Sequence, residues 1–293
     1  MFISKGILKQ SRRGFRVWKA SLSTSTSDLK EKIEQLRPKG PTGFGGGQVS
    51  PAQSIRGLQK FYKEAVHSWS EERKAWQVLL DGKTVKTPQR NVLETDSEAL
   101  AFTVALEWEA QKKYLEPALM PMTGIVCALT DQYPQVIPSV IEELKRYLVT
   151  DTICFRASKT SERELYYEQK EYCDPIIGWM EAEFSISLGI SENCTRPVHA
   201  DDAVQKLESA LSSLTSEEIC ALYQITAVCK SLSIGLALVK RRICIEEALK
   251  MARLEEEYNI RLWGLVEGGH DVDRAHIRVQ LAAASTLLWL KDE

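Results

Sequence analysis

Between residues 61 and 95 apolar and polar positions follow a short period. "FYKEAVHSW" alternates, "AWQVLLDGKTVKTP" sets an Asp-Gly turn between two apolar-rich stretches, and "NVLET" adds a third run, so this part reads as a small antiparallel sheet. The period then becomes helical. Thr95 and Glu98 have capping-box spacing ahead of "EALAFTVALEWEAQKKY", a helix whose packing face covers the sheet. Beyond Pro134 no strand pattern recurs and helix starts follow one another. Pro138 precedes "SVIEELKRYLV", Ser161 and Glu164 precede "LYYEQKEY", Asp174-Pro175 opens "IIGWMEAEF", and Thr215 and Glu218 precede "ICALYQITAVC". Two more helices are predicted over 245–266 and 273–290. The expected fold class is α+β: a small N-terminal antiparallel sheet with a packed helix over 58–133, followed by an all-helical orthogonal-bundle domain over 134–293.

Residues 1–27 depart from this pattern. They contain six Lys or Arg, six Ser and no acid. On a helical wheel Ile3, Ile7, Leu8, Phe15, Val17 and Trp18 share one half, while Lys5, Lys9, Arg12, Arg13, Arg16 and Lys19 share the other; only Phe2 is misplaced. A basic amphipathic helix with a Ser-rich tail fits a mitochondrial presequence better than a secretory signal. Residues 28–57 include "RPKGPTGFGGGQVSP", which reads as a flexible Gly/Pro-rich linker. "GFGGGQ" has no following Gly-Lys-Ser/Thr and no flanking strand, so it is not read as a phosphate loop.

Without its first 27 residues the chain holds 32 basic against 40 acidic side chains, about −8. This balance argues against a nucleic-acid partner. The longest apolar run, "SLSIGLALV" between Lys230 and Lys240, is about half of what a bilayer demands, so stable membrane insertion is not expected. The seven cysteines are widely spaced and lack a CxxC, which reads as reduced, mostly buried thiols.

Enzyme motifs are scarce, and no cofactor and no catalytic residue is predicted. "HDVDRAH" supplies His270, Asp271, Asp273 and His276, but the two histidines, six apart, point away from each other on a helix. Asp271 or Asp273 reads as the N-cap of the last helix. In "ARLEEEYNIRLWG" the three glutamates differ. Glu257, with Arg253 four before and Arg261 four after, belongs to a solvated charged face, and Glu256 lies at an edge. The helical neighbours of Glu255 are Ala248, Met251, Ala252, Tyr258, Leu262 and Val266, which places a carboxylate in an apolar stripe. Such an acid needs a buried counter-group, a proton, or a partner that supplies one. Trp108 either packs its helix on the sheet or, with Glu107 and Gln111, offers a partner contact. Asp151 and Arg156 form a local ion pair, or Arg156 serves a buried glutamate.

Taken in order, "LLDGKTVKTP", "ALEWEAQ", the "MPMT" of Met120–Thr123, "VTDTICFR", Gln169 with Pro175, Lys230-Ser231, "ARLEEEYNIRLWG" and "HD" at 270–271 resemble the mitochondrial ATP synthase F(1) complex assembly factor 2 family. The resemblance covers about residues 60–275 and departs at Asn259, where Gln is usual, and at Tyr172, where Trp is common. It implies a non-enzymatic chaperone of the mitochondrial matrix that binds the free ATP synthase F(1) alpha subunit and shields its assembly surface until the beta subunit replaces it. The family's acidic position falls on Glu255. The expected partner-binding residues are Glu255, Glu256, Trp263, Gly264, Glu107, Trp108 and Gln111, although Trp263-Gly264 also reads as a helix-end feature. The alternative is a matrix metal-dependent hydrolase using Glu255, His270 and Asp273.

Overall fold

Strands β1 (Ala65–Ser70) and β2 (Ala75–Leu80) pair antiparallel, with Ala65 opposite Leu80 and Trp69 opposite Trp76. The computed structural model describes residues 57–291 except 132, 134, 193 and 194. The expected presequence lies outside them, as do the expected linker up to residue 56, Pro134 and Cys194. Strands β3 (Lys83–Thr84) and β4 (Glu94–Thr95) also pair with β2. The β2–β3 turn is the predicted Asp-Gly: Asp81 and Gly82 have φ of 48° and 79°, the left-handed pair whose twist matches a hairpin. The Asp81 carboxylate also accepts the N–H groups of Lys63 and Glu64, each at 3.0 Å, and so closes the sheet's entry.

Helix α1 (Glu98–Glu109) packs on β1 and β2 through Leu100, Ala101, Val104, Ala105 and Trp108. Its cap is Ser97, whose Oγ accepts the Leu100 N–H at 3.2 Å, and not the expected Thr95–Glu98 box. Thr95 is held in the sheet opposite Trp76, so the chain cannot turn into a helix until two residues later.

The rest is helical: α2 (Pro121–Asp131), α3 (Ile137–Val149), α4 (Arg163–Phe184), α5 (Ala203–Ser212), α6 (Ser216–Cys229), α7 (Leu232–Val239), α8 (Ile245–Ala252), α9 (Leu254–Trp263) and α10 (His270–Leu290). One short exception to the absence of strands is a parallel pair, β5 (Phe155–Arg156) with β6 (Ser191–Glu192). Helix α7 is the apolar run noted in the sequence, and every one of its residues is buried, as an all-round apolar helix requires. Helix α10 packs along α6 and touches α8, α2 and α1, so buried side chains from both sides of the 133/134 boundary form one cluster.

Several helix boundaries differ from expectation. The Thr215–Glu218 capping box forms, with both reciprocal bonds, at 3.3 and 2.9 Å. Ser161–Glu164 does not; the N-cap position falls on Glu162, with no side-chain bond. Asp174-Pro175 opens no helix but lies inside the 22-residue α4, where the Asp174 carboxylate pairs with Arg156 at 2.7 Å. The last helix begins at His270, with Gly269 as N-cap, so Asp271 and Asp273 sit in its first turn rather than capping it. The single helix expected over 245–266 is two, divided at Arg253.

Candidate functional site: the cleft beside helix α9

The division at Arg253 has a side-chain cause. Its guanidinium, 1% exposed, is drawn inward to Asp273, to Glu256 at 2.6 Å and to Glu257 at 3.1 Å, while its backbone leaves helical geometry at φ −118°, ψ 13°. The helix restarts at Leu254, so Glu255, Glu256 and Glu257 occupy the first turn of α9, where carboxylates meet the positive end of the helix dipole. Glu257 is therefore not on a solvated face: it bridges Arg253 and Arg274, the latter at 2.5 Å. Arg261 turns instead to Glu168 of α4, at 2.9 Å.

The break also overturns the apolar-stripe reading of Glu255. A wheel carried through residue 253 puts Leu262 and Val266 on the buried side, yet they are 54% and 62% exposed. Glu255 itself is exposed. Only Leu254 and Tyr258 of α9 are buried.

Glu255 and Glu256 stand at the rim of a cleft of about 520 Å³. Its walls come from distant parts of the chain: the 152–158 segment, α4 at Gln169 and Cys173, the α6–α7 junction at Lys230, and the α8–α9 break. Four of the segments that carry the family resemblance thus meet at one place. The 152–158 wall is laced in position. Asp151 accepts the N–H of Ser233 at 2.8 Å and that of Ile153 at 3.2 Å, Gln169 Oε1 accepts the Ala157 N–H at 2.7 Å, and Thr152 N–H reaches the Lys230 carbonyl at 3.4 Å. Arg156 donates to the carbonyls of Ile153 and Phe155 and pairs with Asp174, so it is neither the partner of Asp151 nor of a buried glutamate. Burial pushes the Asp151 carboxyl up, and pushes the Cys173 and Cys229 thiols on the cleft wall up to about 12. Those thiols are therefore protonated packing groups. Among the described residues, neither the Glu255 carboxylate nor the Lys230 ammonium at this cleft has a hydrogen-bond or ion-pair partner.

Trp263 is 84% exposed, and Gly264 follows it at φ 91°, ending α9 by a bond from its N–H to the Ile260 carbonyl. Leu265 and Val272 are also exposed. Glu107, Trp108 and Gln111 do not belong to it. Both Glu107 oxygens are engaged inside, accepting the N–H groups of Met122 and Thr123 at 2.8 and 2.7 Å and so capping α2 from a neighbouring helix. Trp108 is buried against the sheet, with Tyr62 donating to its carbonyl, and Gln111 holds the Glu116 N–H at 2.7 Å. All three face the interior rather than a partner, the packing alternative raised for Trp108.

The hydrolase alternative also lacks its geometry. Asp273 is bound to Arg253, His270 Nδ1 accepts the Val266 N–H at 3.2 Å, and no group of three metal-ligating side chains exists among the described residues. Arg253 was read from sequence only as a charged neighbour of Glu257, and Lys230 only as part of a resemblance-bearing segment; neither was expected as a site residue. An Arg one residue before a buried Leu, with three carboxylates within reach, was the available signal for the first.

A family model described as ATP12 chaperone protein matches residues 59–181. The chain is 27% identical over 225 residues to Protein atp12, mitochondrial, of Schizosaccharomyces pombe, covering 72% of this chain and 76% of that one. It is 25% identical over 268 residues to Protein ATP12, mitochondrial, of Saccharomyces cerevisiae, covering 78% and 82%. Crystal structures of Atp12 from Paracoccus denitrificans and of a putative chaperone from Agrobacterium tumefaciens each superpose with a TM-score of 0.70, at 26% and 28% identity. Each covers 79% of this chain, and 97% and 85% of its own. The matched segment runs from the sheet into α4 and the shared fold reaches well beyond it, so residues 59–181 match an ATP12 chaperone domain and the chain is similar in sequence and fold to ATP12 chaperones.

Proposed function

We propose that this protein is an assembly chaperone of the mitochondrial ATP synthase. It binds the free F(1) alpha subunit in the matrix, which it reaches through the presequence expected over residues 1–27, and leaves when the beta subunit takes its place. The client surface is the outward side of α9 and the cleft beside it. At about 100° per residue Glu255, Asn259, Leu262 and Trp263 share one helical face, acidic at its N-terminal end and apolar at its C-terminal end. The observation that carries this reading is that Glu255 stands exposed and unpaired at a cleft where four resemblance-bearing segments meet. A binder specific for the unassembled subunit lowers the free concentration of its aggregation-prone surface by mass action. Glu256 contributes charge at the rim, and Gly264 ends the helix so that Trp263 stands clear.

The test is co-purification with free alpha subunit. Glu255→Gln and Glu255→Lys should lose client with an unchanged circular dichroism melt, and Glu183→Gln, an exposed acid on α4, should retain it. Equal capture by all variants would remove Glu255 from the contact. Retention of beta but not alpha subunit would overturn the client assignment.

A further inference from the structure

A second surface departs from ordinary packing at the other end of α10. Helix α1 covers the Ala65, Val78 and Leu80 side of the sheet but stops short of the β1–β2 turn, leaving a row of rings uncovered there. Trp69 stacks edge-on against its cross-strand partner Trp76, with centroids 5.5 Å apart, and His67 lies 5.5 Å from Trp76 and 5.4 Å from Phe102. Trp69 and Phe102 are each 40% exposed. His67, Trp76 and Phe102 line an open cleft of about 650 Å³ whose remaining wall carries Asp96 and Glu98.

Both acids have weak internal ties. Glu98 meets His67 Nε2 at 3.5 Å, and Asp96 meets the Thr95 hydroxyl at 3.5 Å. Lys291, which also borders the cleft, is committed to Glu217 at 2.7 Å and to the Thr215 hydroxyl at 3.0 Å. Aromatic faces beside under-used carboxylates complement a cation: the rings attract it through their quadrupoles, and the acids supply opposite charge and acceptors. A planar guanidinium suits this pairing better than an ammonium, since it stacks on a ring while its edge reaches a carboxylate.

We propose that this cleft is a second partner-contact site, which takes a basic side chain, arginine above all, from a bound polypeptide. It stands independently of the Glu255 reading. Helix α10 relates the two places: Asp273 in its first turn holds the α9 break, whereas the carbonyl of Leu290 at its far end accepts the Ser97 hydroxyl beside this cleft at 2.6 Å. Its 21 residues put the two sites roughly 30 Å apart. A client spanning both would be held at two points, so that losing one contact leaves it tethered.

The test uses the intact protein and the peptide acetyl-Gly-Gly-Arg-Gly-Gly-amide, followed by calorimetry or by shifts of the His67 ring resonances. Wild type binds. Phe102→Ala and Glu98→Gln should each weaken binding by about threefold to fivefold, norleucine in place of arginine should abolish it, and Glu255→Lys should leave it unchanged. Absence of wild-type binding overturns the proposal. Undiminished, wild-type affinity in both Phe102→Ala and Glu98→Gln overturns it too, because it would mark general attraction to an acidic chain. Equal affinity for the norleucine peptide would make the cleft a simple apolar groove and overturn the cation assignment.

Discussion

Arg253 and Asp273 are joined across the α8–α9 break and the first turn of α10, and through this contact a buried guanidinium sets where α9 points. Glu256 and Glu257 complete the ring of acids around it. Replacing Arg253 with Met removes the cation and leaves three partly exposed carboxylates facing one another. The expected cost is about 2–3 kcal/mol, below that of a fully buried pair because solvent still reaches the acids. Thermal melting should show a drop of several degrees for Arg253→Met and almost none for Arg261→Met, whose pair lies at the surface; matching drops would contradict the hub.

Acid should act on the same cluster. Burial alone would raise the Glu257 carboxyl, but bonds from Arg274 and then Arg253 prevail and hold it below the usual carboxylate value. A depressed value means that the contribution is present above the unfolded pKa and is lost as pH falls through the folded one. Melting temperature should therefore fall below about pH 4 in the wild type, and less steeply in Glu257→Gln.

Glu107 should show the opposite sign. Burial pushes its carboxyl up to about 7, outweighing the donors of Thr123 and Met122. The folded state then holds a proton that the unfolded state has released, so this contribution is complete below the ordinary glutamate pKa and is lost as pH rises towards 7. Across that window the wild type should lose on the order of 1–3 kcal/mol that Glu107→Gln, which cannot titrate, does not lose. Denaturant midpoints at pH 5 and pH 7.5 make the comparison, and parallel behaviour of the two proteins would refute it.

Gly235 has a packing reason to lack a side chain. A Cβ there would lie 2.5 Å from Thr226 Oγ1 and 2.9 Å from Leu222 Cδ1, where α7 crosses α6. Gly235→Ala should destabilise by about 1–3 kcal/mol. Gly124, at an exposed position of α2, has nothing within 4 Å, and Gly124→Ala should be neutral or stabilise by up to about 1 kcal/mol. Chemical denaturation of the two variants decides between close helix contact and simple helix propensity.

At the proposed client surface, Trp263→Asp and Leu262→Asp remove apolar groups that already face solvent, so stability should change by no more than about 0.5 kcal/mol. Capture of the alpha subunit should fall by tenfold or more if Trp263 is an anchor of the usual weight, about 2 kcal/mol. Undiminished capture would place the contact elsewhere on the cleft.

Local chemistry was readable residue by residue. The Asp81-Gly82 turn, the strands it joins and the Thr215–Glu218 cap depend on side chains a few positions apart, and they form as their spacing predicts. The family resemblance was likewise legible, because an ordered set of segments survives in the sequence whatever their distance in space. Where a boundary depended on a distant partner, the reading failed. Ser97 caps α1 because β4 retains Thr95, and Pro175 lies within α4 where its Asp174 neighbour is held by Arg156.

Sequence by itself determined the α+β order of elements and the resemblance to a chaperone family, since each follows from local period or linear pattern. Only the tertiary structure decided that Glu255 is an exposed acid at a cleft and that Glu107 is an internal cap. The reason is physical. No Gly or Pro marks the break at residue 253; a guanidinium drawn to an acid twenty residues away makes it, and every side chain beyond that point takes its direction from the reset helix.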